Sequence, residues 1–282
     1  MIRFSAHKQT VGKTVVRRLS SPPRHHFFGF HDTCAWNPGG DKIAALRVCT
    51  INRPPLPQDR AEAGFIHDLK NDFVPLLETS AYNFPQGARQ LWSPALDAFW
   101  VNRRFDDHWG ASLVSTGGYV LKNVEQALYA LSSDGNTGWG LNFARLHRLG
   151  GYGYVGIADP TALDRAPDND GIFVIDLASG SVRLLVSVRE VTGTSVNHAA
   201  SAHHYLTHIV PSPSGTNLAF LHRYWLADGG IHNRLFIIGT DGTRLRCLAE
   251  GFLSHFDWWD DRRIIIWGRA NAFIDGLRRQ AF

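Results

Sequence analysis

One phrase recurs along this chain and limits what it can become. HHYLTHIVPSPSGTNLAFLHR, from His203 to Arg223, reads as a short strand, a Pro-Ser-Gly-Thr turn and a second apolar strand. The same order of strand, Pro/Ser/Asp/Gly turn and strand returns in AWNPGGDKIAALRV from Ala35, LWSPALDAFWVNRR from Leu91, ALSSDGNTGWGLNF from Ala130 and FDWWDDRRIIIWGR from Phe256. A repeat at this spacing decides the fold before any single residue does. Gly215 in the turn can take positive φ at no steric cost, as such a reversal needs.

Between these phrases lie further strands. After AWNPGGDKIAALRV come AGFIHDL and FVPLL, and GIFVIDLASGSVRLLVSV is a hairpin turning at Ser179-Gly180. Four-stranded antiparallel units in series predict an all-β chain, a β-propeller of about five blades. The blades are expected at about 26–79, 81–125, 127–188, 197–250 and 251–282, in a single domain. A sandwich or solenoid repeats such a phrase less readily. Five blades make either a small closed ring or part of a larger one. Thr14 to Leu19 is then expected to close the ring by pairing near Ile264 to Trp267 or Ala272 to Leu277, which would satisfy otherwise unpaired edges. Val188 to Ser195 reads as a short helix or a loop, and His147 to Asp170 as a Gly-rich insertion over the channel mouth.

Composition agrees. The 282 residues hold 44% hydrophobic and 19% charged residues, a folded balance, and nine Trp with 17 Phe favour strands. Three cysteines without CxxC give neither a disulfide framework nor a zinc motif. The formal charge of +4 is scattered, with no basic stripe, so nucleic acid is not the expected partner. No apolar run is long enough to span a membrane and no secretory signal is visible at the N-terminus, which makes the cytoplasm the default compartment.

In a propeller the innermost strands line the axis, and here they are rich in polar residues. His31, Gln86, Arg89, His204, His208 and His255 fall on them, and Asn142, Arg145, His147, Arg148, Tyr152 and Tyr154 on the insertion and its approach. Imidazole is a general base near neutral pH and a metal ligand. Arginine grips a carboxylate in two hydrogen bonds. Tyrosine donates or accepts a proton once cations lower its pKa. Together these parts suit β-elimination on a uronic acid. The plain readings stand beside this one: Asp134, Asp241 and Asp260 are turn residues, Trp258 and Trp259 pack between blades, and Arg145 and Arg148 equally well brace the insertion with salt bridges.

HHFFGFHDTCAWNPGGDKIAALRV, YNFPQGARQLWSP and LNFARLHRLGGYGY resemble a family of bacterial β-propeller proteins similar to oligogalacturonate lyases and, more distantly, to ulvan lyases and propeller rhamnosidases. The resemblance runs from about His26 to Asp257. It implies a seven-bladed ring, of which this chain would hold about five blades. It also implies a divalent metal, manganese or calcium, held by histidines and a glutamine, a histidine base and a substrate-binding arginine. On this chain the metal set would be Gln86, or Gln90, with His208 and His255. The catalytic set would be His208, His204, Tyr152 and Arg145, with Arg148, His147, Asn142, Tyr154, His31 and Arg89 binding substrate. The expected partner is an acidic oligosaccharide or polysaccharide and the expected activity a carbon–oxygen lyase. A glycan- or protein-binding propeller without turnover and a propeller glycosidase are the alternatives.

Overall fold

A computed structural model describes residues 8–11, 14–67, 72–194 and 201–273. It begins with a two-stranded hairpin, β1 (Lys8–Val11) and β2 (Thr14–Arg17). The first blade is β3 (His25–Phe27), β4 (Lys42–Val48), β5 (Ala61–His67) and β6 (Phe73–Thr79). The second is β7 (Leu91–Trp92), β8 (Ala98–Phe105), β9 (His108–Ser115) and β10 (Val120–Val124). The third is β11 (Leu128–Leu131), β12 (Thr137–Gly140), β13 (Gly171–Asp176) and β14 (Val182–Ser187), with α1 (Phe143–Gly150) between its second and third strands and α2 (Val188–Gly193) after its fourth. The fourth is β15 (His204–Pro211), β16 (Asn217–Trp225), β17 (Ile231–Gly239), β18 (Arg246–Asp260) and β19 (Arg263–Phe273). Within every sheet the strands pair antiparallel in sequence order, and the four sheets form a four-blade β-propeller.

The repeated phrase has one physical basis. Leading into the second strand of each blade the chain closes the same backbone hydrogen bond across five residues: Asn37 N to Lys42 O, Ser93 N to Ala98 O, Ser132 N to Thr137 O and Ser212 N to Asn217 O, all 2.8–2.9 Å. In three of the four turns the fourth residue is a glycine at φ near +70°, Gly40, Gly135 and Gly215. A local turn repeated four times fixes four hairpin registers independently. The apolar faces so aligned pack between neighbouring blades, where Leu46, Phe99, Leu128, Phe220 and Phe236 are fully buried.

Three expectations are corrected. The segment 251–282 does not start a separate sheet among the described residues. Instead β18 is one long strand: Arg246–Gly251 pairs with β17, and Ala249–Asp260 pairs with β19, the fourth sheet's fifth strand. Beyond Gly251 the strand turns in toward the axis, where Trp258 Nε1 donates to Val210 O at 3.0 Å and Asp261 accepts from Ser214 N at 2.8 Å. Thr14–Arg17 pairs with Lys8–Val11 and not with β19, whose Ile264 and Trp267 face Trp258 and His255. A hairpin costs far less loop-closure entropy than a pairing across the chain. Residues 274–277 of the other expected pairing lie outside the described residues.

The third correction is the helix α1, where a strand was expected over LNFARL. Asn142 caps it, its Oδ1 accepting from Ala144 N at 3.1 Å and Arg145 N at 3.0 Å. Gly151 ends it at φ +71°, the left-handed exit usual for a helix C-terminus. The ambiguous segment after β14 is the helix α2, started by a capping box between Ser187 and Glu190. No helix among the described residues is long and apolar enough to cross a membrane.

Candidate functional site

Residues on or beside the inner strands meet on the axis. His31 comes from the first blade, Arg89 from the second, Tyr129 from the third, His208 from the fourth, and His255 from the inward half of β18. His31 and His255 lie with ring centroids 4.7 Å apart, and Phe30 lies against both and against His208, 5.6 Å away. The two outer imidazoles are exposed, whereas His208 is 4% exposed.

Beneath them lies a buried polar floor. Arg89 donates from Nη1 to Asp32 Oδ1 at 2.7 Å and from Nε to Tyr129 O at 2.9 Å, and its guanidinium lies 4.0 Å over the Tyr129 ring. Burial disfavours its charge, but Asp32 and Tyr129 outweigh that and raise its pKa. The Tyr129 hydroxyl accepts from Gln86 Nε2 at 3.1 Å and also bonds Thr207. Thr207 Oγ1 in turn meets His208 Nδ1 at 3.0 Å.

Two of these residues hold unusual backbone. Arg89 has φ +53° and His208 φ +59°. His208 sits where the pairing of β15 with β16 slips between Thr207 and Val210, a bulge that re-aims its side chain. A non-glycine residue in the left-handed region costs on the order of 1–3 kcal/mol and survives only where the surroundings over-determine it. Burial holds the His208 pKa well below the usual imidazole range, with the cation of Arg223 second. His208 is therefore neutral at pH 7.

Tyr152 closes the cluster from above, its ring 5.6 Å from His208 and nearly perpendicular. The GGYGY phrase explains its position. A Cβ on Gly153 would lie 1.8 Å from Phe143 O, so only glycine lets the segment lie on α1. The next residue, Tyr154, stacks on Phe143 at 4.4 Å and accepts from Asn102 Nδ2 at 2.8 Å. Tyr152 is thus carried on backbone pinned at both sides, and Asn83 Nδ2 donates to its carbonyl at 2.7 Å. Arg223, opposite Tyr205 on β16, lies 5.9 Å from the Tyr152 ring. It is 7% exposed, and its Nε has no hydrogen-bond partner among the described residues.

The structure gathers His31, Arg89, His208, His255 and Tyr152 from the expected residues, with Gln86 in the floor beneath them, and places the others elsewhere. Arg145 is 2% exposed with its guanidinium consumed by protein: Nε donates to His204 O, Nη1 to Thr161 O, and Nη2 to Asp164 O and Arg165 O, all at 2.8–3.0 Å. It braces the insertion and has nothing left for a substrate carboxylate. His204 stacks on His222 within the fourth sheet, Nδ1 to Nε2 3.0 Å, away from the axis. Tyr154 is fully buried packing, and Asn142 is a helix cap that also donates to Asp159 and Asp170. Arg148 pairs with the buried Asp159 carboxylate at 2.8 Å. His147 lines a cleft beside the cluster. Sequence reasoning missed Arg223, Thr207 and Phe30. Arg223 closes the opening phrase, and a cation in register with a buried tyrosine was its available signal.

Of the expected metal set, His208 and His255 lie in the axial cluster and Gln86 in its floor. Gln86 is 1% exposed; its amide nitrogen donates to Tyr129, while its Oε1, the atom that would face a metal, has no hydrogen-bond partner among the described residues. Among the described residues no three His, Cys, Asp or Glu side chains are arranged to hold a metal ion.

No protein-family model matches this chain, and no curated protein matches it in sequence. Solved structures do. An oligogalacturonate lyase from Vibrio parahaemolyticus is similar with a TM-score of 0.54 and 14% identity, over 86% of this chain and 58% of that one. An oligogalacturonate lyase in complex with manganese is similar with a TM-score of 0.44 and 14% identity, over 90% of this chain and 75% of that one. TolB from Acinetobacter baumannii follows at 0.42 and 12%, over 84% and 57%. The first likeness shows the propeller fold, and the chain spans 58% of that protein's length. The oligogalacturonate lyase part of the sequence resemblance thus has a counterpart at the level of fold. The ulvan lyase and rhamnosidase parts have none among these three.

Proposed function

We propose that this propeller binds acidic saccharides at its axial cluster and cleaves them by β-elimination. The observation that carries the reading is a buried, neutral His208 on strained backbone, set between Tyr152 and Arg223 below the exposed pair His31 and His255. Arg223, in the place expected of Arg145, grips the uronate carboxylate and stabilises charge that develops on it. His208, with Nδ1 held by Thr207, takes the proton α to that carboxylate. The electron pair left behind becomes the carbon–carbon double bond and expels the β-glycosidic oxygen, which takes a proton from Tyr152. His31 and His255 flank the saccharide at the mouth.

The test is incubation with a panel of acidic oligosaccharides, read by the ultraviolet absorbance of the unsaturated product and by assay for new reducing ends. Wild type is expected to give both signals, and His208→Gln neither. New reducing ends without absorbance would make the protein a glycosidase. Binding without either signal would make it a glycan-binding propeller.

A further inference from the structure

Two clefts at the mouth of the propeller join into one groove that the axial cluster does not use. The first, about 340 Å³, lies between the proline-rich loop 51–55 and the segment after α1, with Arg53, Tyr82 and His147 in its wall. The second, about 610 Å³, is lined by Arg18, Arg24, His25 and His26. They share Ile51 and Phe84. Each has the size of a small-ligand site.

The charge of the groove is one-sided. Neither half has an Asp or Glu in its wall. Arg53 is neutralised by Asp59, its Nη2 3.1 Å from Oδ1, but Arg18 and Arg24 are exposed and form no salt bridge with a carboxylate among the described residues. Such a wall concentrates anions along its length. At its middle stands a fixed aromatic surface. Phe84 is half-buried, tilted against Phe27 at 5.1 Å and edge-on to Tyr82 at 5.9 Å. A phenyl ring held on one side offers its other side to the C–H face of a sugar.

The groove also runs along the axial cluster. Gly29 lines the outer cleft two residues before His31, and Gly151 and Gly153 line the inner one on either side of Tyr152. We infer that the groove holds the extension of an acidic oligosaccharide whose reacting unit lies at the axis, so that the protein selects longer uronide chains over short ones. This inference rests on the function proposed above.

The experiment is calorimetric titration of the full chain with a saturated acidic disaccharide, the matching hexasaccharide and a neutral hexasaccharide. The wild type is expected to bind the acidic hexasaccharide at least tenfold tighter than the disaccharide. The double variant R18E/R24E is expected to lose most of that advantage, with disaccharide affinity within twofold of wild type and an unchanged melting temperature. Raising the salt should likewise narrow the gap between the two ligands, as exposed charges are screened. Equal affinities for the acidic disaccharide and hexasaccharide would overturn the groove and leave the axial reading standing. A length preference that survives R18E/R24E, or that the neutral hexasaccharide shares, would overturn the groove's anionic character. Binding of no acidic ligand at all would overturn both readings.

Discussion

Replacing Asp32 by alanine tests the floor of the axial cluster. Its side chain is 3% exposed and that of Arg89 1% exposed, at 2.7 Å. Removing the carboxylate leaves a guanidinium without its counter-ion where water cannot reach it, which costs about 3–5 kcal/mol. With an unfolding entropy of about 2.1 cal/mol/K per residue, a loss of about 4 kcal/mol lowers the melting temperature of a chain this long by about 7 °C. The size of the loss comes from the stranded charge and not from the salt bridge itself. The double variant D32A/R89M removes the charge together with its partner and should therefore recover most of the loss, because an apolar pair of similar volume is often as stable as a buried ion pair. Thermal and urea denaturation of wild type, both single variants and the double variant complete the cycle. A D32A melting temperature within about 2 °C of wild type, a loss of only about 1 kcal/mol, would refute the argument. So would strict additivity of the two changes.

Acidification from pH 7.5 to 5.5 should lower stability, because the unfolded chain takes a proton on each histidine near pH 6.5 while folded His208, and to a lesser degree His26, His31 and His147, take theirs only below it. Stability gained above pH 6.5 is lost as pH falls toward the folded value, and His208→Gln should flatten the urea-midpoint profile by up to about 1.4 kcal/mol per pH unit. Tyr152→Phe should keep ligand binding in calorimetry and lose turnover, whereas Gly153→Ala should weaken binding at least tenfold and also lower the melting temperature, since its Cβ meets Phe143 O at 1.8 Å. Asn142→Ala should cost about 1–2 kcal/mol as a lost helix cap and more through its two carboxylate partners, read by urea denaturation.

The fold was legible where its cause is local. Each inner-strand turn is set by six neighbouring residues, so Asn37, Ser93, Ser132 and Ser212 could be read as equivalents without knowing what they pack against. His208 stood out for a related reason, as a polar residue in the middle of the apolar strand HYLTHIVP, although His204 of the same strand stacks on His222 within the sheet. What failed depended on partners distant in the chain or on a competing period. LNFARL alternates well enough for a strand, and only Asn142 before it and Gly150-Gly151 after it betray a helix. Arg145 and Arg223 look alike in sequence. One is surrounded by carbonyls from residues 161–165 and 204, which nothing near Arg145 announces, and the other by a tyrosine ring. The first hairpin was missed because Lys8–Val11 lacks apolar alternation, so a distant edge looked the better partner for Thr14–Arg17.

The axial cluster draws His31, Arg89, Tyr129, His208 and His255 from five places along the chain, and all but Tyr129 lie outside the apolar clusters that pack the blades. Three of the five, His31, His208 and His255, are thus neither packing residues nor part of the buried Arg89–Tyr129 floor. A substitution at His31 or His255, which are exposed, changes the axial surface and leaves the hairpin registers, which the turns set, untouched.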